Sequence, residues 1–190
     1  MSQPPYIVGL GGTARDGSTS ELALRVALDH AATLGCETDL FAGRTLPAEI
    51  YDPSQTVRTE QARRFVAALQ RADGVLIASP AYHGGISGLV KNALDFVEDL
   101  AQDKRVYLDG RAVGLVVCAH GTQAMGSTLA SLRAIVHSLR GWPTPYGATV
   151  ISTERPFDSL RDDNEAVIAC RLVAAQVVEF ARMKLGKAKG

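Results

Sequence analysis

Apolar residues gather in short unbroken runs along this chain, and between the runs they recur at helical spacing. Residues 6–10, 75–78, 113–118 and 148–151 are continuous apolar stretches, and 38–42 is a weaker run of the same kind. Runs that do not alternate suit strands covered on both faces, as in a parallel sheet. The weaker run reads as an edge strand. Ala62, Phe65, Val66 and Leu69 follow the i, i+3, i+4, i+7 pattern of a helix, with Arg63, Arg64 and Gln70 turned outward. Leu129, Leu132, Val136 and Leu139 form a second stripe, which Gly141 and Pro143 are expected to close. A last long helix carries Cys170, Val173, Val177 and Phe180 or Ala181. Further helices are predicted over about 20–34 and about 88–100.

Five strands, each followed by a helix, predict an α/β fold: an open, doubly wound, five-stranded parallel sheet with helices on both faces. No composition break, repeat or linker divides the chain, so residues 1–186 are expected to form one domain. Residues 187–190, with Lys187 and Lys189 among small residues, are expected to be a frayed tail. In such sheets ligands bind beyond the carboxyl ends of the strands. That rule selects three loops, 11–20, 79–88 and 118–126.

Composition narrows the partners. Twenty basic residues balance twenty acidic ones, so no general nucleic-acid footprint is expected. No apolar stretch approaches the ~20 residues that span a bilayer, and the N-terminus lacks the basic start of a secretory signal. Three cysteines, at 36, 118 and 170, form no CxxC pair and suit a reducing cytoplasm. The four histidines lack metal-ligand spacing, so no metal site is expected.

The first loop, GGTARDGSTSE, has three lookalikes. Gly9-Leu-Gly11-Gly-Thr-Ala14 fits the relaxed dinucleotide pattern, but Asp16, Gly17 and Ser18 delay the helix that this fingerprint needs inside it. Gly12-TARD-Gly17-Ser18-Thr19 copies the spacing of a nucleoside-triphosphate loop with serine in the lysine position. Ser18 to Glu21 is also a capping box, which needs no ligand. The number of donors points further: Thr13, Arg15, Ser18, Thr19 and Ser20 bring hydroxyls and a guanidinium to a helix N-terminus. Such a cluster suits a terminal phosphate.

The second loop, SPAYHGGISGLVKNALDF at 79–96, resembles the SP-x-Y-x-G-x-x-x-G-x-x-KNALDW motif of the NADPH-dependent FMN reductase family, and GGTARDGSTS is similar to that family's phosphate loop. Leu46-Pro47 and CAHGTQAMG at 118–126 also have counterparts there, and the resemblance spans about residues 6–151. It implies a flavodoxin-like fold with strand order 2-1-3-4-5. It also implies non-covalent FMN, reduction by NADPH or NADH, and a small-molecule electron acceptor such as a flavin, quinone, azo compound, metal ion or oxygen. Carried over to this chain, it implies that Thr13, Arg15, Ser18 and Ser20 hold the phosphate. Pro80, Ala81, Tyr82, His83 and Gly84 line the isoalloxazine, with Ala119, His120 and Gly121 on the opposite loop. Thr13 stands for the usual serine, Ser20 for asparagine and Phe96 for tryptophan, and His120 occupies a position where a small residue is frequent. The resemblance further suggests a homodimer or homotetramer, for which an apolar or small-residue face of helix 88–100 is the expected contact. Lys91 and Asn92 read as helix-surface or interface residues, Trp142 as loop packing, and Arg44 as a hint of NADPH. No catalytic side chain is named, because the flavin carries the chemistry. The other readings are a flavodoxin-like electron carrier, against which the zero net charge weighs, and a non-catalytic flavin-binding module.

Overall fold

The computed structural model describes residues 3–159 and 161–187. The element order is β1 (Tyr6–Gly11), α1 (Thr19–Thr33), β2 (Glu37–Ala42), α2 (Glu60–Arg71), β3 (Gly74–Tyr82), β4 (Gly85–Ile86) and α3 (Gly88–Asp95). It continues with β5 (Ala112–Ala119), α4 (Gln123–Ser138), β6 (Trp142–Pro143), β7 (Ala148–Ile151) and α5 (Glu165–Lys187). The sheet runs β2-β1-β3-β5-β6, and β7 continues along the same outer edge of β5. Those pairings are parallel; only the two-residue β4 pairs antiparallel, folding back on the end of β3. Counted over the five predicted strands, the order is 2-1-3-4-5.

Successive strand residues point to opposite faces, and each face has its own core. Val8 and Leu10 of β1, Val75 and Ile77 of β3, and Val113, Leu115 and Val117 of β5 pack under α2, α3 and α4. Ile7, Leu76, Ala78, Val116 and Cys118 pack under α1 and α5. On that second face the central strands carry Gly114 and Gly74, where an added Cβ would lie 2.5 Å from Val173 and Val177 respectively. Their bare backbone lets α5 lie close against the sheet.

Several expectations need correction. β3 does not stop with the apolar run at 78 but continues to Tyr82 and turns into β4. The helix predicted over 88–100 stops at Asp95, and Phe96–Leu100 tightens into a 3-10 turn. It offers no apolar outer face: Val90, Ala93, Leu94, Phe96, Val97 and Leu100 all point inward, leaving Gly88, Lys91, Glu98 and Asp99 outside. Arg140, not Gly141, takes the left-handed position after α4 (φ 61°). The amides of Arg140 and Gly141 donate back to His137 and Val136, so the helix closes as a Schellman turn. Trp142 lies in β6 and stacks at 5.8 Å on Phe180 of α5, while Ala181 supplies the buried stripe. Residues 188–190 of the expected tail lie outside the described residues.

Candidate functional site

The loop between β1 and α1 is shaped by a steric demand. Gly12 donates to the carbonyl of Ala78 at 3.1 Å, drawing the loop against β3. A Cβ on Gly11 would lie 1.9 Å from that same oxygen, so only glycine fits there. Thr13 Oγ1 accepts from the Arg15 amide at 3.1 Å and closes a small turn that leaves Arg15 exposed. Ser18 then caps α1, its Oγ accepting from the Glu21 amide at 3.4 Å. Glu21 reaches back to the Gly17 amide at 3.0 Å rather than to the cap residue itself. Arg25 pairs with the same carboxylate at 2.7 Å. The capping box is therefore present in modified form, and the Gly17 amide is already taken. The amides of Thr19 and Ser20, in the first turn, have no intrahelical acceptor, and the Ser18 and Ser20 hydroxyls lie 3.5 Å apart beside them.

The second loop is a hairpin. Ala81 pairs with Ile86 and Tyr82 with Gly85, leaving His83 and Gly84 as a two-residue turn. Both have positive φ (53° and 83°), the requirement of the tight turn that matches strand twist. Fully buried Ser79 fixes the hairpin, its Oγ accepting from the Ser87 amide at 3.0 Å. Ser87 in turn caps α3 by accepting from Val90 at 3.2 Å. Ser127 of α4 holds the tip through a 3.1 Å bond to the Gly84 carbonyl.

These loops meet in one cleft at the carboxyl edge of the sheet, open to solvent. Thr13, Arg15, Ser18, Thr19 and Ser20 line one end, Pro80, Ala81 and Tyr82 another wall, and Ala119 and His120 face them from the end of β5. Ser18, Ser20, Pro80 and Ala119 are buried, whereas Arg15, Tyr82 and His120 are exposed. His83, Gly84 and Gly121 do not line the cleft: the first two form the hairpin tip, and Gly121 is exposed beyond His120.

Two lining residues, Cys118 and Ser152, escaped the sequence reading. Ser152 directly follows β7, so the rule that selected the other strand-end loops would have found it had it been applied to the last strand. Cys118 is the penultimate residue of β5, and burial pushes its thiol well above the ordinary range. It lines the cleft as a small neutral group. The support from the α3 motif was also unreadable: Asn92 Oδ1 accepts from the Tyr51 amide at 2.9 Å, and its Nδ2 donates to the Glu49 carbonyl at 2.9 Å. That one side chain pins the long loop after β2. Lys91 instead pairs with Asp95 on the surface at 2.6 Å.

Residues 5–155 match the family described as NADPH-dependent FMN reductase. The chain belongs to that family. An FMN-dependent NADPH-azoreductase of Staphylococcus aureus is 30% identical over 187 residues, covering 92% of this chain and 93% of the relative. Among solved structures, a flavoenzyme NAD(P)H:(acceptor) oxidoreductase from Paracoccus denitrificans superimposes with a TM-score of 0.75 at 17% identity, over 94% of this chain and 98% of that one. An NADH:FMN oxidoreductase in its apo form gives 0.68 at 19% identity, over 94% and 89%. At those identities the structural likeness shows the flavodoxin-like fold, and the family match shows the class: an FMN-dependent oxidoreductase that uses NAD(P)H.

Proposed function

We propose that the cleft holds FMN and that the chain passes a hydride from NAD(P)H through it to a small acceptor. The observation that carries this reading is the shared cleft, which a donor-rich helix N-terminus and the ends of β3 and β5 line together.

The donor set fits the cofactor. A phosphate monoester needs several converging donors. Thr13, Ser18 and Ser20 can supply hydroxyls, Thr19 and Ser20 supply first-turn amides, and Arg15 supplies a cation, all at the positive end of the α1 dipole. Pro80, Ala81 and Tyr82 would lie along the isoalloxazine, with Ala119 and His120 against the other loop edge. Pro80 and Ala81 bring no charge to that wall, and Cys118 stays protonated because burial raises its pKa. When bound, FMN supplies the centre that accepts and donates the hydride. The chain's own residues bind and orient. Ser79, Ser87 and Ser127 tie the 81–86 hairpin to β3, α3 and α4, fixing the wall along which a flavin ring would lie. His83 and Gly84, at the tip, set the turn that positions Tyr82.

The azoreductase relative extends the proposal to acceptors: an azo compound suits the open cleft, and a flat quinone is a second candidate. We further place the chain in the cytoplasm as a homodimer or homotetramer. Exposed Ile50 and Val57 after β2, and Trp142 with Leu172 near the other edge, are apolar surface that a subunit contact would cover. No helix among the described residues is long and apolar enough to cross a membrane. The test is steady-state NADPH oxidation with an azo dye or a quinone, with and without added FMN. Turnover that requires FMN supports the reading. No turnover with either acceptor, in protein that has taken up FMN, contradicts it.

A further inference from the structure

The cleft does not end at the phosphate loop. Arg15, Thr19 and Ser152 line it on one side and line a second cavity, of about 400 Å³, on the other. Leu22, Pro156 and Phe157 give this second cavity apolar wall, and Asp16, Arg155 and Asp158 give it charge. The wall after β7 is built rather than loose. Arg155 donates its amide to the Ser152 carbonyl at 3.2 Å, and Asp158 donates to the Arg155 carbonyl at 3.1 Å. Asn164 Nδ2 donates to the Pro156 carbonyl at 2.7 Å, while its Oδ1 accepts from the first amides of α5. Phe157 is 8% exposed and belongs to the core beneath α1 and α5.

We propose that this cavity is an adenylate subsite continuous with the phosphate cradle, so that the protein takes FAD as well as FMN. The proposal rests on the flavin reading of the cleft. In FAD the first phosphate gains an anhydride bond and sheds part of its charge, and a second phosphate lies one bridging oxygen further out. Arg155 provides a second guanidinium on that outward side, beyond Arg15. Its present partner, Asp158, is 3.4 Å away in a pair that is 80% and 64% exposed, a weak bond that is easily exchanged. Leu22, Pro156 and Phe157 offer the apolar contact that a purine needs. Asp16 and Asp158, acceptor-only groups, suit ribose hydroxyls and would repel a free terminal phosphate. The adenylate of NADPH has the same chemistry. The three residues shared by the two cavities favour a group joined directly to the phosphate in the cradle.

The test is a fluorescence titration of flavin-free protein with riboflavin, FMN and FAD, in the wild type and in Arg155→Gln. FAD should bind within about tenfold of FMN, and Arg155→Gln should weaken FAD by about tenfold, the effect of one charged hydrogen bond, with FMN unchanged. Wild-type FAD binding a hundredfold or more weaker than FMN, on the order of two lost charged hydrogen bonds, overturns the subsite. So does an equal loss for both flavins in Arg155→Gln, or an unchanged FAD affinity. If the variant spares both flavins but raises KM for NADPH, the cavity belongs to the pyridine nucleotide and the proposal fails. Loss of FMN binding by the wild type would instead remove the cleft reading itself, which keeps the two failures apart.

Discussion

Arg15 and Ser18 sit a few residues apart in the same loop and do different work. Arg15 is exposed, so its replacement by alanine is predicted to change stability by no more than about 0.5 kcal/mol. Ser18 is 3% exposed and caps α1, and its replacement is predicted to cost about 1 kcal/mol of stability. Together the two replacements should weaken FMN binding by about 2–4 kcal/mol, through lost charged and neutral hydrogen bonds. Fluorescence titration and denaturant melts on the single and double variants separate the two effects. An FMN affinity unchanged in the double variant would contradict the phosphate assignment. Gly11 is a stricter case. Gly11→Ala forces a Cβ to 1.9 Å from a backbone oxygen of β3, and the strain should cost at least about 3 kcal/mol, read as a lower urea midpoint. Of these residues, Arg15 and Ser18 were legible because donors at a helix start have a chemical reading of their own. The Gly17 amide held by Glu21 was not, because a capping box in sequence does not say which amide the carboxylate will reach.

At the scale of elements, Asn92 is the clearest tie. It bonds the backbone of the loop after β2 at Glu49 and at Tyr51, and Arg58 clamps the same loop by a two-pronged pair to Asp99 at 2.8 Å. Asn92→Ala should therefore destabilise by about 1–3 kcal/mol, the range for leaving partly buried backbone groups unpaired. Hydrogen exchange should rise first in residues 46–52. Equal protection there in the variant would show that the clamp at Arg58 suffices. The seam between α1 and α5 carries a pH dependence. Burial lowers the His30 pKa, and the nearby Arg171 guanidinium lowers it further. Between that lowered value and the ordinary 6.5, the unfolded chain binds the extra proton and the folded one does not. Stability should thus fall as the pH is lowered through 6.5, and His30→Gln should flatten that part of the Tm–pH curve. A wild-type curve that rises on acidification would reverse the sign. The helix stripes and the long strands were readable because burial on both sheet faces leaves unbroken apolar runs. β4 and β6 were not. Two residues carry no periodicity, and β4 exists only because His83 and Gly84 turn the end of β3 back on itself.

For the whole molecule, the fold class and the place of the candidate cleft were legible together, because the carboxyl edge of a doubly wound sheet collects the loops after β1, β3, β5 and β7 in one place. The fourth of these, at Ser152, carries no recognisable motif, and only the strand-end rule applied to β7 points to it. A sum of charges near zero does not favour docking to a strongly charged redox partner. It fits an enzyme that meets small acceptors better than it fits a dedicated electron carrier. The measurement that decides is anaerobic mixing of FMN-loaded protein with NADPH in a stopped-flow cell. The account predicts rapid loss of the flavin absorbance, followed by its return when an azo or quinone acceptor is added. Bleaching no faster than that of free FMN under the same conditions would contradict it and leave a flavin carrier in its place.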